Sequence, residues 1–277
     1  MRVGRIPYIN CYPVYGAIDR GLVKMHATLV DGTPSELNAL IASGDLDVSV
    51  VSAVEYARDS ARYLLLPDLA VSCDGPVRSV MLFSHHRAEE LGRRKVLVSR
   101  SSMTSAFLLE LLFENVWRCL PRFVRGKAEL SDVTRFGQEE HDARLVIGDA
   151  ALLLGAGASG APQYPYVYDL GTVWKEWTGL PFVFAVWVAL RSTAVQSALR
   201  VHASLIESRN WGLAHVNELA AQAAARTGVS EPHCRAYLAG LDYGLSYPHL
   251  AGLTSFFGRL VERGRVPNGT LAFLPAA

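Results

Sequence analysis

The stretch PFVFAVWVAL, residues 181–190, is the longest apolar run in the chain. At about ten residues it is too short for a membrane-spanning helix, which needs about 20. A continuous apolar run of this length predicts a buried β-strand. Helical patterns fill the chain after this strand, whereas strands and helices alternate before it. The stretch therefore marks the point at which the organisation of the chain changes.

The first third of the chain alternates short apolar runs with helical patterns in the order β-α-β-α-β. One of these helices is predicted to begin at Thr33 or Ser35 and to stop at Gly44. The middle third repeats the pattern from Lys95 onward. Strands separated by helices of this length imply parallel pairing with right-handed crossovers, so the sequence predicts an α/β fold.

A second apolar strand, VRSVMLFS at residues 77–84, lies on the other side of the middle α/β unit. The two strands bracket this unit, which suggests that the chain leaves a first domain on one of them and returns on the other. We therefore expect a discontinuous lobe I, made of residues 1–84 and 186–277, and an inserted lobe II of residues 85–185. Two close crossing strands would form the hinge between the lobes.

The composition excludes several classes of protein. Half of the residues are hydrophobic and 19% are charged, which is typical of a well-buried globular protein. The 27 Lys and Arg residues balance 26 Asp and Glu residues, so no global field attracts nucleic acid or an anionic membrane. The four cysteines are far apart, which argues against a zinc site or a disulfide framework. Prolines and Asn10 interrupt the first residues, which therefore do not resemble a signal peptide, and we expect a cytoplasmic protein.

Small polar residues follow many of the predicted strands. Ligands of open α/β sheets bind at the carboxyl ends of strands, so the cleft between two such lobes is the expected site. The candidates at these strand ends are Asn10, Cys11, Thr33, Ser52, Ser79, the cluster 99–105, Gly148, Asp149 and residues 169–171. Their character predicts a site for a small polar anion.

Two of these candidates have an ordinary structural explanation as well as a functional one. The stretch SRSSMTSAFLLELL, which includes Ser102, Thr104 and Ser105, joins a strand to a helix. Free N–H groups and the helix dipole favour an anion there, although the same serines could simply cap the helix. Asp149 follows a strand at a helix start, where a capping role is commoner than that of a general base.

Other reactive residue types give weaker signals. Cys11 has no histidine or basic partner nearby in sequence, so a small buried residue is the simpler interpretation. His85 and His86 precede a charged segment and resemble a solvated helix start. The chain has no P-loop, dinucleotide-binding fingerprint, nucleophile elbow or metalloprotease helix. The residues alone therefore leave the reaction unspecified.

A set of segments in a fixed order resembles the MqnA family, the chorismate dehydratases of the futalosine route to menaquinone. The matches extend over almost the whole chain, and their joint occurrence is more specific than any one of them. The segments are GRIPYINCYPV (4–14), ALIASGDLDVSVVSAVEYA (39–57), GPVRSVMLFS (75–84), SMTSAFLL (102–109), VIGDAALL (146–153) and DLGTVWKEWTGLPFVFAVW (169–187).

The resemblance implies a two-lobed fold similar to periplasmic solute-binding proteins of type II. It also implies conversion of chorismate, a small dicarboxylate, to 3-[(1-carboxyvinyl)oxy]benzoate and water, with no metal or redox cofactor and no nucleic-acid or membrane partner. The family pattern points to Asn10 and Ser79 as the polar pair of the active site. Thr104 and Ser105 carry over as groups that bind carboxylates, while Ser52, Ser102 and Asp149 are further candidates for substrate binding.

Three questions stay open at this stage. An asparagine cannot act as the base, so the proton acceptor is unassigned, and one of the substrate's own carboxylates is a candidate. Arg5, Arg78 or Arg100 could supply a second carboxylate contact. Two alternative functions also stand: a 1,4-dihydroxy-6-naphthoate synthase of the sister family MqnD, and a non-catalytic protein that binds a small anion. The MqnD pattern has a catalytic histidine in an I-H-E triplet, where this chain has Ile147, Gly148 and Asp149.

Overall fold

A computed structural model describes residues 1–99, 103–126, 140–157 and 163–275. In the described residues, the strands form two mixed sheets of five strands each. The strands of the first sheet are β1 (Arg2–Arg5), β2 (Thr28–Asp31), β3 (Val48–Ser52), β4 (Tyr63–Cys73) and β10 (Phe182–Leu190). Those of the second are β5 (Val80–Ser84), β6 (Lys95–Ser99), β7 (Arg122–Gly126), β8 (Ala143–Ile147) and β9 (Tyr166–Asp169).

Each sheet combines parallel strands with one strand that runs against its neighbours. The first sheet has the order β2-β1-β3-β10-β4, and β10 pairs antiparallel with both β3 and β4. The second has the order β7-β6-β8-β5-β9, and β5 pairs antiparallel with both β8 and β9. The remaining pairs, β1 with β2 and β3, and β6 with β7 and β8, are parallel. The parallel pairing expected from the alternating pattern is therefore present in both sheets.

Helices cover the sheets and continue after β10. The helices are α1 (Tyr12–Asp19), α2 (Pro34–Ser43), α3 (Ala53–Arg58), α4 (Met103–Asn115), α5 (Gly148–Gly155), α6 (Leu170–Thr178), α7 (Val195–Ala214), α8 (Val216–Thr227), α9 (Glu231–Ala239) and α10 (Tyr247–Glu262). The predicted start and stop of α2 are confirmed: Thr33 and Glu36 form a capping box, and Gly44 ends the helix with a φ of 87°. Within the described ranges, no helix has the length and apolar character that crossing a membrane requires.

The strand predicted from PFVFAVWVAL is confirmed as β10, which lies between β3 and β4. Eight of its nine residues are buried, because neighbours cover it on both edges and both faces. Its first residue, Phe182, pairs with Cys73 at the end of β4. The two strands that leave and enter the first sheet are thus hydrogen-bonded neighbours.

The observed boundary between the sheets differs from the predicted one. Residues 80–84 form β5 in the second sheet, although the sequence placed them in lobe I, and residues 182–185 lie in the first sheet, although the sequence placed them in lobe II. An apolar run indicates burial but does not name its pairing partners, which are distant in sequence. We propose that lobe I comprises residues 1–73 and 182–275, and that lobe II comprises residues 80–178.

The two connections between the lobes are tied to each other. The chain passes to the second sheet through residues 74–79 and returns through α6 and residues 179–181. The carboxylate of Asp169 accepts hydrogen bonds from the backbone N–H groups of Val77 at 3.0 Å and Arg78 at 2.6 Å. Asp169 also caps α6 by accepting from the N–H of Thr172. Asp169, at the end of β9, therefore joins both connections.

Gly212 gives a test of how tightly the C-terminal helices pack on lobe I. It lies in α7 against α1, and a Cβ atom there would be 2.2 Å from the carbonyl oxygen of Pro13. We expect Gly212→Ala to lower the free energy of unfolding by about 2 kcal/mol, because backbone atoms must move apart. Gly258→Ala, in an exposed part of α10 with no atom within 4 Å, should be neutral or stabilising. Urea unfolding of both variants checks this, and equal effects would contradict it.

Candidate active site

A pocket lies where the two lobes meet, and the empty space in and around it, open solvent included, is about 570 Å³. Its walls are largely apolar and include Ile6, Val71 and Phe184 from lobe I and Val80 and Ile147 from lobe II. Its polar lining consists of Tyr8, Asn10, Ser52, Ser79 and Ser105, together with Gly148. The predicted cleft between the lobes is therefore present, and it brings together four of the seven predicted site residues.

Asn10 reaches the cavity from the loop that follows β1. Pro7 precedes a short 3-10 turn, Ile9–Cys11, and α1 begins at once with Pro13 in its first turn. These prolines restrict the backbone on either side of the turn. The side-chain oxygen Oδ1 of Asn10 is buried and has no hydrogen-bond partner in the described part of the protein. A buried amide oxygen without a partner is costly, so a ligand that supplies a donor would satisfy it.

Ser79 also lines the cavity and is the last residue of the first connection between the lobes. Its side chain is buried, with 4% exposure. Its backbone carbonyl accepts a hydrogen bond of 2.7 Å from the N–H of Gly148. Tyr237 of α9 lies beside it, and burial raises the pKa of this phenol, which therefore stays neutral. The side chain of Ser79 is a neutral hydroxyl at the wall of the cavity between the lobes.

Ser52 and Ser105 mark the starts of two helices that face the cavity. Ser52 is the N-cap of α3, and its hydroxyl accepts hydrogen bonds of 3.2 Å from the N–H of Glu55 and from Nδ2 of Asn38. Ser105 lies in the first turn of α4 and lines the cavity. The positive ends of these helices therefore lie near the same space, an arrangement that favours an anion.

The remaining predicted site residues have other positions. Thr104 is buried, and its Oγ1 accepts a 3.1 Å hydrogen bond from the N–H of Val54 in lobe I, so it joins the lobes and does not line the cavity. Asp149 does not line the cavity either: its carboxylate accepts a 3.1 Å hydrogen bond from the N–H of Ile9. Substrate contact by Thr104 was predicted from a helix start and from the family resemblance, and substrate contact by Asp149 from a strand end. None of these reveals the direction of a side chain. Ser102 lies outside the described residues.

The arginines considered for carboxylate binding are not placed in the cavity. Arg5 forms ion pairs with Asp19 and Asp31 on the outer side of the loop. The side chain of Arg78 donates to the carbonyl of Ala236 at 3.1 Å. Arg100 lies outside the described residues. Of the described residues that line the cavity, none is an arginine or a lysine.

Cys11 and the two histidines do not contribute reactive groups to the cavity. Burial raises the pKa of the Cys11 thiol to about 12, so this side chain stays a protonated thiol and packs in the core. His86 pairs with Asp142 at 3.3 Å, and His85 packs against Tyr164. Both histidines follow β5 in lobe II and are not among the residues that line the cavity.

Sequence reasoning missed Tyr8 and Gly148 as a matched pair. Gly148 adopts a φ of 64°, and a Cβ atom there would lie 3.2 Å from ring carbons of Tyr8. A side chain at this position would meet both the strain of a left-handed backbone and the tyrosine ring. The tyrosine in the Y-x-N-x-x-P loop and the glycine after β8 were both visible in the sequence, but their contact was not.

Comparison with known proteins places this chain in a family. The model of a family described as "Menaquinone biosynthesis" matches residues 1–262. The chain belongs to this family. A chorismate dehydratase of Thermus thermophilus is 34% identical over 261 residues, covering 90% of this chain and 91% of its own. A chorismate dehydratase of Campylobacter jejuni is 26% identical over 200 residues, covering 70% of each chain.

Solved structures of low identity share the fold of this family member. A protein of Archaeoglobus fulgidus superposes with a TM-score of 0.77 at 18% identity, covering 96% of this chain and 98% of its own. The periplasmic aliphatic sulphonate binding protein SsuA of Escherichia coli gives a TM-score of 0.63 at 15% identity, covering 100% and 94%. The predicted two-lobed periplasmic-binding-protein-like fold is therefore confirmed.

The contact between Tyr8 and Gly148 gives a second prediction. We expect Gly148→Ala to lower the free energy of unfolding by about 1 to 2 kcal/mol, because alanine is strained at positive φ. Gly155→Ala, at the other end of α5 with open space around it, is the matched control and should not destabilise the protein. Urea denaturation measures both. A Gly148→Ala protein as stable as the control would show that position 148 tolerates a side chain.

Proposed function

We propose that this chain is a chorismate dehydratase, a hydro-lyase that converts chorismate to 3-[(1-carboxyvinyl)oxy]benzoate and water. The observation that carries the proposal is the 34% identity to a chorismate dehydratase over 90% of this chain. The cavity adds support, because it joins Asn10 and Ser79, the two residues that the family pattern assigned to the active site.

The reaction needs alignment more than a strong catalyst. The C3–H bond breaks, its electrons form the new ring double bond, and the C4 hydroxyl leaves and is protonated to water. The product ring is aromatic, so the elimination is strongly downhill. The protein must hold two carboxylates and align the departing groups, and positioned neutral dipoles can do this.

Four of the polar wall residues have a proposed role in this elimination. The unpaired amide oxygen of Asn10 orients the ring hydroxyl, and the hydroxyl of Ser79 donates to the departing oxygen. Ser52 and Ser105, at the starts of α3 and α4, accommodate one carboxylate. The described lining residues supply no carboxylate or imidazole, so we assign proton removal from C3 to a carboxylate of the substrate itself.

Two alternatives are less well supported. The sister-family synthase pattern needs a histidine where this chain has Gly148, and the positive φ and the Tyr8 ring leave no place for an imidazole there. A non-catalytic binding protein would agree with the likeness to SsuA, but fold alone does not assign function. The proposed setting is the cytoplasm, with chorismate as the small-molecule partner.

The test is to mix the purified protein with chorismate and follow the ultraviolet spectrum and the mass of the small molecule. Loss of one water with a new benzoate chromophore is the expected result. Tight binding of chorismate without turnover would contradict the proposal and favour the binding-protein alternative. A matched sample without protein controls for the spontaneous decay of chorismate.

A further inference from the structure

The dipeptide Gly148–Asp149 at the start of α5 contacts both sides of the candidate active site. The N–H of Gly148 donates to the carbonyl of Ser79 at 2.7 Å. The carboxylate of the next residue, Asp149, accepts from the N–H of Ile9 at 3.1 Å. Ile9 precedes Asn10 directly, so two adjacent residues of lobe II are bonded to the backbone of Ser79 and of the residue before Asn10.

The bond from Asp149 crosses between the lobes. Ile9 belongs to the loop of lobe I, and α5 packs on the turn Ile9–Cys11. The ring of Tyr8 lies on Gly148 at the same place. The loop that carries Asn10 therefore rests on the start of α5 through one ring contact and one hydrogen bond. Because Gly148 has no side chain, the loop can approach this closely.

Asp149 is an unusual residue for this position. Its side chain is 3% exposed, and the guanidinium of Arg226 lies 4.0 Å away. A buried carboxylate that has one backbone donor and one cation 4.0 Å away stabilises a core position less than a well-packed apolar side chain would. We expect a buried carboxylate at a position where its oxygen is needed to hold a backbone N–H group in place.

We propose that Asp149 is a positioning residue, which holds the loop Tyr8–Cys11 by its bond to Ile9 so that Asn10 faces Ser79 across the cavity. This inference rests on the proposed function for its kinetic consequence, but the bond itself belongs to the free protein. It replaces the predicted role of Asp149 in substrate binding. Asp149 acts through Asn10 and does not touch the substrate.

The test compares side chains that keep or lose the acceptor. Asp149→Asn keeps a side-chain oxygen for the N–H of Ile9, whereas Asp149→Ala removes it and Asp149→Leu removes it while filling the space. Glu114→Gln, which breaks an exposed ion pair of 2.7 Å with Arg263 between the lobes, is the matched control away from the cavity. Hydrogen–deuterium exchange of the peptide that contains residues 8–12 and the kinetics with chorismate are measured for each full-length protein.

Amide exchange at Ile9 is expected to be about tenfold faster in Asp149→Ala and Asp149→Leu, because each loses one hydrogen bond. It should be unchanged in Asp149→Asn and in the control Glu114→Gln. We expect the same two variants to lose about tenfold in kcat with a smaller change in KM, because the loss affects alignment. The Asn variant should keep most of its activity.

Two results would overturn the proposal: exchange at Ile9 that is the same in wild type, Asp149→Ala and Asp149→Leu, or Asn and Leu variants with equal kcat. If the wild-type protein does not turn over chorismate, the proposed function fails, but the exchange data still decide whether Asp149 holds the loop. If turnover occurs and exchange does not respond to position 149, the function stands and this inference fails.

Discussion

Replacing Asn10 by alanine is expected to lower kcat/KM for chorismate by about 100-fold or more, the effect of removing one preorganised polar group from a closed active site. The amide of Asn10 lines the cavity, and its Oδ1 atom has no other partner in the described part of the protein. Its removal therefore costs the folded protein little. The loss should appear in turnover and not in the free energy of unfolding.

Three further variants distinguish a loss of catalysis from a general disturbance of the folded structure. Asn10→Asp places a negative charge near the substrate carboxylates and should reduce turnover by a similar factor. Ser79→Ala should lower kcat about tenfold or more by removing a donor to the departing oxygen. Asn115→Ala changes the same residue type at the end of α4, where its amide bonds to Leu111, and should leave turnover unchanged. Wild-type rates for both Asn10→Ala and Ser79→Ala would contradict the site assignment.

The difference in stability between Asp149→Asn and wild type is expected to grow with pH. Burial raises the pKa of Asp149 to about 6, although the bond from Ile9 and the charge of Arg226 act in the opposite direction. In the unfolded chain this pKa returns to about 3.8. The folded state therefore binds the proton more tightly, and its contribution to stability is complete below pH 3.8 and is lost as the pH rises through about 6.

A pKa raised from 3.8 to about 6 corresponds to about 3 kcal/mol of stability lost by the wild type between acid and neutral pH. Asp149→Asn has no such carboxyl to titrate, so relative to wild type this variant should gain about 2 kcal/mol between pH 4.5 and pH 7.5, since the wild type has already lost about 1 kcal/mol of the total at pH 4.5. Glu55 and Glu110, whose pKa values burial also raises, are common to both proteins and cancel in the comparison. Urea unfolding at the two pH values measures the change, and a difference independent of pH would show that Asp149 does not titrate in this range.

The groups that face Asp149 do not add a second titration to the expected dependence of stability on pH. Arg226 of α8 is the facing cation. Cys11, Cys234 and Tyr237 are the other titratable groups close enough to interact with it, and burial raises the pKa of each. All three stay neutral at physiological pH, so no second ionisation near Asp149 masks the expected trend.

Local patterns in the sequence were sufficient to predict many elements of the fold, although they did not predict β4 or β7. The apolar run at 182–190 has one simple explanation, a strand covered on both faces, and the capping residues Thr33 and Gly44 fix the ends of α2. The lobe boundary could not be predicted in the same way. β5 pairs with β8 and β9, and nothing in residues 80–84 distinguishes these partners from strands of the first sheet.

The residues of the candidate site could also be predicted from the sequence only in part. Strand ends and the family resemblance led to Asn10, Ser52, Ser79 and Ser105, because the carboxyl ends of strands meet in the cleft whatever their side chains do. The orientation of Thr104 and Asp149 toward backbone donors of the opposite lobe depends on how the lobes meet. Sequence reasoning could not supply that relation, and the close approach of Tyr8 to Gly148 follows from it as well.

The proton NMR spectrum of chorismate incubated with the wild-type protein tests whether the cavity between the lobes dehydrates chorismate. We expect the signals of the cyclohexadiene ring to disappear and the aromatic signals of a benzoate substituted at position 3 to replace them, with the vinyl signals of the side chain retained. Incubation with Asn10→Ala should leave the chorismate signals almost unchanged over the same time. A chorismate spectrum that persists with active, folded wild-type protein, or a product that has lost the vinyl group, would contradict the account.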